Sequence, residues 1–389
     1  MQNTHLVDLA LTEEQELIRD TARAFCEREI APFAREWDRT ERMDEAIVAK
    51  LADVGFLGCA LPEDYGGMGL DTVSYCLVME ELGRADSSVR GIVSVNNGLA
   101  GKTIAKWGTD AQKAEWLPKL SDGSALGCYA LTEPGSGSDP ASLVTRAERD
   151  GDAWVIDGSK IFITLGSWAG VALVFARTSR EGARGITCFL VPTASEGFSA
   201  RPIDGKLGLR AQDTAELFLD GVRVPDSARL GEVGAGFKVA MSALDNGRIS
   251  LAAGSVGIAA GCVDACLAYV GERKQFGRSI GAFQLVQELI ADTAVETEAA
   301  RLMAWRAAYL ADAGQPYTLA ASQAKYYASE VAVRAANAAV QVHGGYGYVD
   351  EFPVQKYLRD ARVSTLYEGT SQIQKLLIGR ALTGESAFV

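Results

Sequence analysis

The chain has 389 residues, 48% of them hydrophobic and 23% charged, with 50 acidic against 38 basic side chains and a net charge of −12. That length divides into two or three domains rather than one ordinary core, and the acidic balance excludes a nucleic-acid or anionic-lipid partner, which needs clustered Lys and Arg. No stretch is expected to approach the ~20 apolar residues of a membrane span, and the start MQNTHLVDLALTEEQ lacks the basic and apolar regions of a signal peptide, so a cytoplasmic protein without membrane contact is expected.

Thr12 and Gln15 form a capping box, and Leu17, Ile18, Thr21, Ala22 and Phe25 then recur at helical spacing. Pro32 marks a break or kink. Ile47, Val48, Leu51 and Val54 make a second amphipathic helix, which Gly55 stops. PEDYGGMG, from Pro62, is a turn-rich loop, and helices over 71–82, 93–107 and 111–120 follow. Near Ala125 the pattern changes. LGCYALT reads as a strand, and TRAERDGDAWVID, from Thr145, alternates about an Asp150-Gly151 turn as a hairpin does. IFIT, ALVFAR, ITCFLVP, FSARPI and AELFLDGVRVP continue as short strands of an all-β module. From Gly236 the helical period returns over 237–272, 283–313 and 317–342. A last helix opens near Ser371, where Ser371 and Gln374 read as a capping box; short links suggest an antiparallel bundle. The expected fold is α+β: an N-terminal helical domain over 1–124, a β-barrel domain over 125–235 and a C-terminal four-helix bundle over 236–389.

The seven cysteines are odd in number and scattered through apolar contexts, which fits buried thiols in a reducing compartment. Cys262 and Cys266 share a helical face, but no further ligand lies near them, so packing is expected and no metal. The two histidines, His5 and His343, leave no inventory for a His-based triad or His-rich metal site. AGKT, from Ala100, ends like a phosphate-binding loop, but Asn96 stands where the first Gly must be. EPGSGSD, from Glu133, opens no helix, so it is no dinucleotide fingerprint; it is a polar turn, or a loop whose N–H groups meet an anion or a flavin edge. HGGYG, from His343, taken alone is a glycine C-cap. Glu368, in TLYEGTSQIQ, stands just before a helix between an aromatic and a Gly. Either it complements the helix dipole, or it is a general base whose pKa an apolar pocket raises.

CYALTEPGSGSD from Cys128, KIFIT from Lys160, LDNGR from Leu244, ERKQFGRSIGAFQ from Glu272, QVHGGYGY from Gln341 and LYEGTSQIQ from Leu366 occur in this order over nearly the whole chain. Together they resemble the acyl-CoA dehydrogenases. The resemblance implies FAD, an acyl-CoA substrate, a homotetramer, an electron-transferring flavoprotein as acceptor, and a place in fatty acid β-oxidation. It implies that Glu368 removes the α-proton of an acyl thioester while flavin N5 accepts the β-hydrogen as hydride. The thioester carbonyl is then held by the Glu368 N–H and a flavin ribityl hydroxyl. By the same resemblance Tyr129, Leu131, Thr132, Gly137 and Ser138 line the flavin. Phe162, Ile163 and Thr164 lie at its isoalloxazine, with Thr164 reaching N5. Arg273, Gln275, Phe276, Gln284, Gln341, Gly344 and Gly345 meet the diphosphate and adenosine end, partly of a neighbouring subunit, and Thr370 and Gln372 complete that set. Ser138, Asp245, Arg248, Gly369 and Arg380 look like CoA-side contacts. Many relatives carry Trp at the place of Phe162. Some carry the base at the position matching Gly247, which here cannot serve.

SVNNGLAG, from Ser94, and LDNGR are most similar to short-chain and short branched-chain members. Arg90, in DSSVRGIVSV, matches an arginine that glutaryl-type members pair with the distal carboxylate of the substrate, and the ending GRALTGESAF is similar to those members too. Apart from the resemblance, Arg90 is a solvated loop residue. The alternatives are an acyl-CoA oxidase or flavin monooxygenase on the same scaffold, and a flavin-binding DNA-protecting relative; the latter needs a basic surface that the C-terminal third lacks.

Overall fold

The computed structural model describes residues 10–388, so His5 and most of the N-terminal segment read above lie outside the described residues. Helix α1 (Glu13–Glu29) starts at the expected capping box, with Gln15 N donating to the Thr12 hydroxyl at 3.2 Å and Thr12 N to the Gln15 amide at 3.1 Å. Pro32 sits in the first turn of α2 (Ala31–Thr40), where a missing N–H costs nothing. Helices α3 (Ala46–Asp53), α4 (Thr72–Ala85) and α5 (Ser87–Val93) follow, the last two capped by Asp71 and Asp86. The single helix expected over 93–107 is in fact three pieces: the end of α5, a π-helical run over Ser94–Gly101, and α6 (Lys102–Trp107). Asn96 anchors that run. Its amide donates to Leu57 O at 3.2 Å and Leu120 O at 2.9 Å, and accepts from Gly127 N at 2.9 Å. Helix α7 (Asp110–Asp122) ends the helical third.

The middle third is a sheet of β1 (Gly127–Ala130), β2 (Arg146–Asp150), β3 (Ala153–Thr164), β4 (Val171–Arg177), β5 (Ile186–Pro192), β6 (Phe198–Pro202), β7 (Thr214–Pro225) and β8 (Arg229–Leu230). Its order is β6-β7-β3-β2-β4-β5-β8, with β1 added in parallel to β4. The β2–β3 hairpin turns at Gly151, φ +65, as its sequence predicts. Among the described residues no ladder joins β6 to β8, so the hydrogen-bonded path is open and mixed. Alternation fixes which face a strand buries but not its neighbour, so the parallel β1–β4 pairing leaves no local signal. The β3–β7 ladder slips between Lys160 and Ile163, and Phe162 lies in that slip at φ +59.

The C-terminal third holds α8 (Gly236–Glu272), a small hairpin of β9 (Lys274–Gln275) and β10 (Arg278–Ser279), α9 (Gln284–Asp312), α10 (Thr318–His343), α11 (Val354–Ser364) and α12 (Ser371–Thr383). The cap of α12 is Thr370, one residue before the expected Ser371: its hydroxyl accepts from Ile373 N at 3.2 Å, while Ser371 donates to Glu330 at 2.6 Å. Helix α8 runs through the centre, against α10, α9 and α4. Gly83 of α4 and Gly257 of α8 allow the approach of those two helices, since a Cβ at either would collide with the backbone of the other helix. By length and composition α8 is apolar enough to cross a membrane, contrary to the sequence expectation, but its apolar stretch is mostly buried inside the protein. All seven cysteines are free and buried.

Candidate active site

A cavity of about 780 Å³ opens where α5, the π-helical run, the sheet, α8 and α12 meet. Glu368 reaches it from the link between α11 and α12, where the backbone is left-handed, φ +54 at Glu368 and +88 at Gly369. A non-glycine residue keeps that conformation only where its surroundings impose it. Here the fully buried Gln374 donates to the carbonyls of Glu368 and Gly369, both at 3.1 Å, and Lys325 Nζ donates to Gly369 O at 2.7 Å. Oε2 of Glu368 is buried with no hydrogen-bond partner among the described residues, and its backbone N–H has none either. Burial pushes the Glu368 carboxyl up to about 6, against Arg90, Lys325 and Arg248, which pull it down. Gly247 of α8 lies directly opposite: a Cβ there would collide with Oε2. A side chain at 247 and the carboxylate from 368 thus claim the same space.

Arg90 is not a solvated loop residue. It sits on α5, 3% exposed, and lines the cavity. Its Nη2 donates to the Tyr367 hydroxyl at 2.8 Å, and it forms no ion pair among the described residues. Gly254 clears room for its aliphatic stem. Ser94, Val95 and Leu99 of the π-helical run line the same end.

Across the cavity stand Tyr129 and Leu131, the loop residues Thr132, Gly137 and Ser138, and Phe162, Ile163 and Thr164 at the end of β3. Phe162 is 64% exposed, its ring turned out by the left-handed backbone. Gly135 and Gly137 have open space where a Cβ would stand. Gln212, between β6 and β7, gave no sequence signal. Its Nε2 donates to the Thr164 hydroxyl at 3.2 Å, and its Oε1 is buried without a partner among the described residues. An uncovered aromatic face, an open glycine loop and an orphaned acceptor fit a planar heteroaromatic ring with a polar edge, as a flavin has. Loop and strand are locked together by Lys160, fully buried, whose Nζ donates to Glu133 Oε1 and Phe175 O at 2.7 Å and to Leu131 O at 3.2 Å. Glu133 in turn accepts from Val144 N at 2.6 Å and Thr145 N at 3.0 Å. Burial lowers the Lys160 pKa to about 8, with Glu133 opposing.

Arg248 on α8 is buried and lines the cavity, as do Gly369 and Arg380. Asp245 does not line it. Its carboxylate accepts from Arg248 Nη1 and from the Thr318 hydroxyl, both at 2.7 Å, so it orients Arg248. Arg273, Gln275, Gly344 and Gly345 gather elsewhere, in a second cavity of about 500 Å³ at the far end of α8, beside His343. Phe276 is 93% exposed at φ +52 and lines neither cavity, and Gln284, Gln341 and Gln372 are also exposed outside both. Thr370 spends its hydroxyl on the α12 cap. Most of the expected site residues thus gather in one set around Glu368, four form a second, separate set, and Asp245, Phe276, Gln284, Gln341, Thr370 and Gln372 line neither cavity.

Three family models match in chain order: the acyl-CoA dehydrogenase N-terminal domain over residues 12–124, the middle domain over 128–222 and the C-terminal domain over 234–383. The chain is 43% identical to a short-chain specific acyl-CoA dehydrogenase of Clostridium acetobutylicum, over 96% of this chain and 98% of that one. A chain from the structure of the electron transferring flavoprotein of Acidaminococcus fermentans, studied for flavin-based electron bifurcation, superposes with TM-score 0.96 at 41% identity, covering 97% of this chain and 100% of that one. A glutaryl-CoA dehydrogenase from Mycobacterium smegmatis, in complex with FADH2, superposes with TM-score 0.94 at 36% identity, covering 97% of each chain. With domain models matched from end to end and this identity over almost its full length, the chain belongs to the acyl-CoA dehydrogenase family.

Proposed function

We propose that the protein is a FAD-dependent dehydrogenase that converts a short-chain or short branched-chain acyl-CoA to its trans-2-enoyl-CoA, with Glu368 as the base. The observation that carries this reading is a buried, unpartnered carboxylate, held on a strained turn with its pKa pushed up to about 6, facing a cavity of about 780 Å³. FAD, when bound along Tyr129, Thr132, Ser138, Phe162 and Thr164, supplies the acceptor for the β-hydrogen. The protein's own residues do the rest. Above pH 6 Glu368 is ionised, and Oε2 takes the α-proton without first breaking a hydrogen bond. The free N–H of Glu368 is available to the thioester carbonyl, where charge builds as the proton leaves. Leu99, Met241, Leu244, Ile373 and Leu377 exclude water from the reacting carbons. Similarity to a chain from an electron transferring flavoprotein structure supports that class of protein as the acceptor.

A second reading is favoured by Arg90. A buried guanidinium at the apolar end of the cavity is costly unless an anion meets it. A dicarboxylyl thioester brings that anion, and the similarity to a glutaryl-CoA dehydrogenase points the same way. Anaerobic mixing with butyryl-, isovaleryl- and glutaryl-CoA tests both readings. Bleaching of the flavin by at least one short acyl-CoA is expected, and fastest bleaching by glutaryl-CoA selects the second. No bleaching by any thioester of the panel would overturn the proposal.

A further inference from the structure

We propose that Lys325 is a positioning residue for the base: its ammonium fixes the Gly369 carbonyl, and with it the left-handed turn at Glu368, while its charge keeps the Glu368 carboxylate ionised. This rests on the reading of Glu368 as base. Lys325 lies on α10, fully buried and outside the cavity lining, so it touches no substrate. An amphipathic helix has no structural use for a Lys on its buried face, and a buried ammonium is retained only where something answers it. What answers it is Gly369 O, at 2.7 Å, on the residue that follows Glu368. Gln374 holds the same carbonyl from the other side, at 3.1 Å. Between them they impose a φ of +54 that glutamate does not adopt freely.

The charge acts separately from the hydrogen bond. Glu368 is faced by Arg90 from α5, Arg248 from α8, Lys325 from α10, Tyr129 from β1 and its neighbour Tyr367. Lys325 is faced by Glu368, by Arg248, which repels it, and by Glu330 on its own helix. Guanidinium groups do not titrate in the working range, and burial pushes both tyrosines up. Burial brings Lys325 down to about 8 and Glu368 up to about 6. The productive pair, carboxylate with ammonium, therefore exists between those values. Above about 8 the neutral amine still donates to Gly369 O and the high pH itself keeps the carboxylate ionised, so the charge of Lys325 acts on the acid side, where Glu368 takes up its proton.

The test is the pH dependence of anaerobic flavin bleaching by a bound acyl-CoA in the holoenzyme, for the parent, Lys325→Met, Lys325→Arg and Glu368→Gln. The parent should show an acid limb near pH 6. In Lys325→Met that limb should rise by about one unit, because an opposite charge has been removed. Its plateau rate should fall because the turn loses a tether. Lys325→Arg keeps a permanent charge, so its acid limb should stay where the parent's is. An acid limb and plateau both unchanged in Lys325→Met, with Glu368→Gln silent, would overturn this inference alone. Parental bleaching by Glu368→Gln would instead overturn the base assignment beneath it. If the Met variant does not fold, judged by FAD content and circular dichroism, the Arg variant decides: an acid limb raised by about one unit although the charge is kept contradicts the role of Lys325.

Discussion

Above pH 6 the carboxylate of Glu368 is charged, enclosed and without a hydrogen-bond partner, and the unliganded protein carries that as lost stability. The sign follows from proton binding. The folded carboxyl binds its proton more tightly than the ordinary 4.5, so stability falls as pH rises from 4.5 to about 6 and the full cost stands above that. At about 1.4 kcal/mol per unit the cost is at most about 2 kcal/mol. Glu368→Gln should therefore melt at a higher temperature than the parent at pH 7.5 and at nearly the same temperature at pH 4, both measured without acyl-CoA. The same variant should lose flavin bleaching by a factor of at least ~10²–10⁴ while still binding FAD and acyl-CoA. Gly247→Ala should depress bleaching too, because its methyl would push the carboxylate aside. Arg90→Gln should lower kcat/KM for glutaryl-CoA by an amount equivalent to about 2–5 kcal/mol and leave butyryl-CoA ahead. Comparable butyryl-CoA activity in both proteins, with none on glutaryl-CoA in either, would leave a short-chain enzyme. Glu368 was legible because its motif is distinctive. Lys325 and Gln212 were not, since a Lys among alanines reads as a solvated helix face and a Gln before a strand as a loop residue; only the folded chain shows that both are buried.

At the scale of elements, the cavity wall opposite Glu368 depends on a buried ion pair. Lys160 ties β3 to the loop that carries Thr132 and Ser138, through Glu133. Lys160→Met leaves Glu133 charged and uncompensated, which typically costs 3–5 kcal/mol, roughly. Urea denaturation of the apoprotein should show that loss, and the folded variant should release FAD more readily; a variant with parental stability and FAD retention would contradict this. Elements themselves were uneven in their legibility. The long α8, α9 and α10 were plain because apolar residues recur over many turns with few breakers. The π-helical run over Ser94–Gly101 was hidden, because its residues are apolar and helical in period while the change lies in which carbonyl each N–H meets. Asn96 is its one visible trace: a polar residue in a buried helix, bonded to three separate backbone groups. Helix α11 was missed since its short stretch carries several charges, Lys356 and Asp360 among them, that turn out to pair inside the protein.

For the whole molecule, α8 acts as a ruler. Gly247 lies at the first cavity and Glu272 beside the second, and the helix between them spans roughly 38 Å at 1.5 Å per residue. No single extended dinucleotide reaches that far. If Arg273 and Gln275 hold FAD, they hold one whose ring sits in another subunit, and the 93% exposed Phe276 beside them is suited to that junction. Dilution below the assembly's dissociation constant should then release flavin, measured by fluorescence against oligomer mass; a dissociated subunit that keeps FAD would exclude the shared arrangement.

A FAD shared in that way would have a genetic consequence. A subunit with Glu368→Gln would lose its own reaction centre but still offer Arg273 and Gln275 to a neighbour. A subunit with Arg273→Ala would keep a sound centre but could not serve the next one. Each homogeneous assembly would be inactive, yet a mixed assembly would place an intact Glu368 beside an intact Arg273 at some of its sites. Two loss-of-function alleles of this gene would then complement each other in one cell, and a single defective allele would act beyond the subunits that carry it.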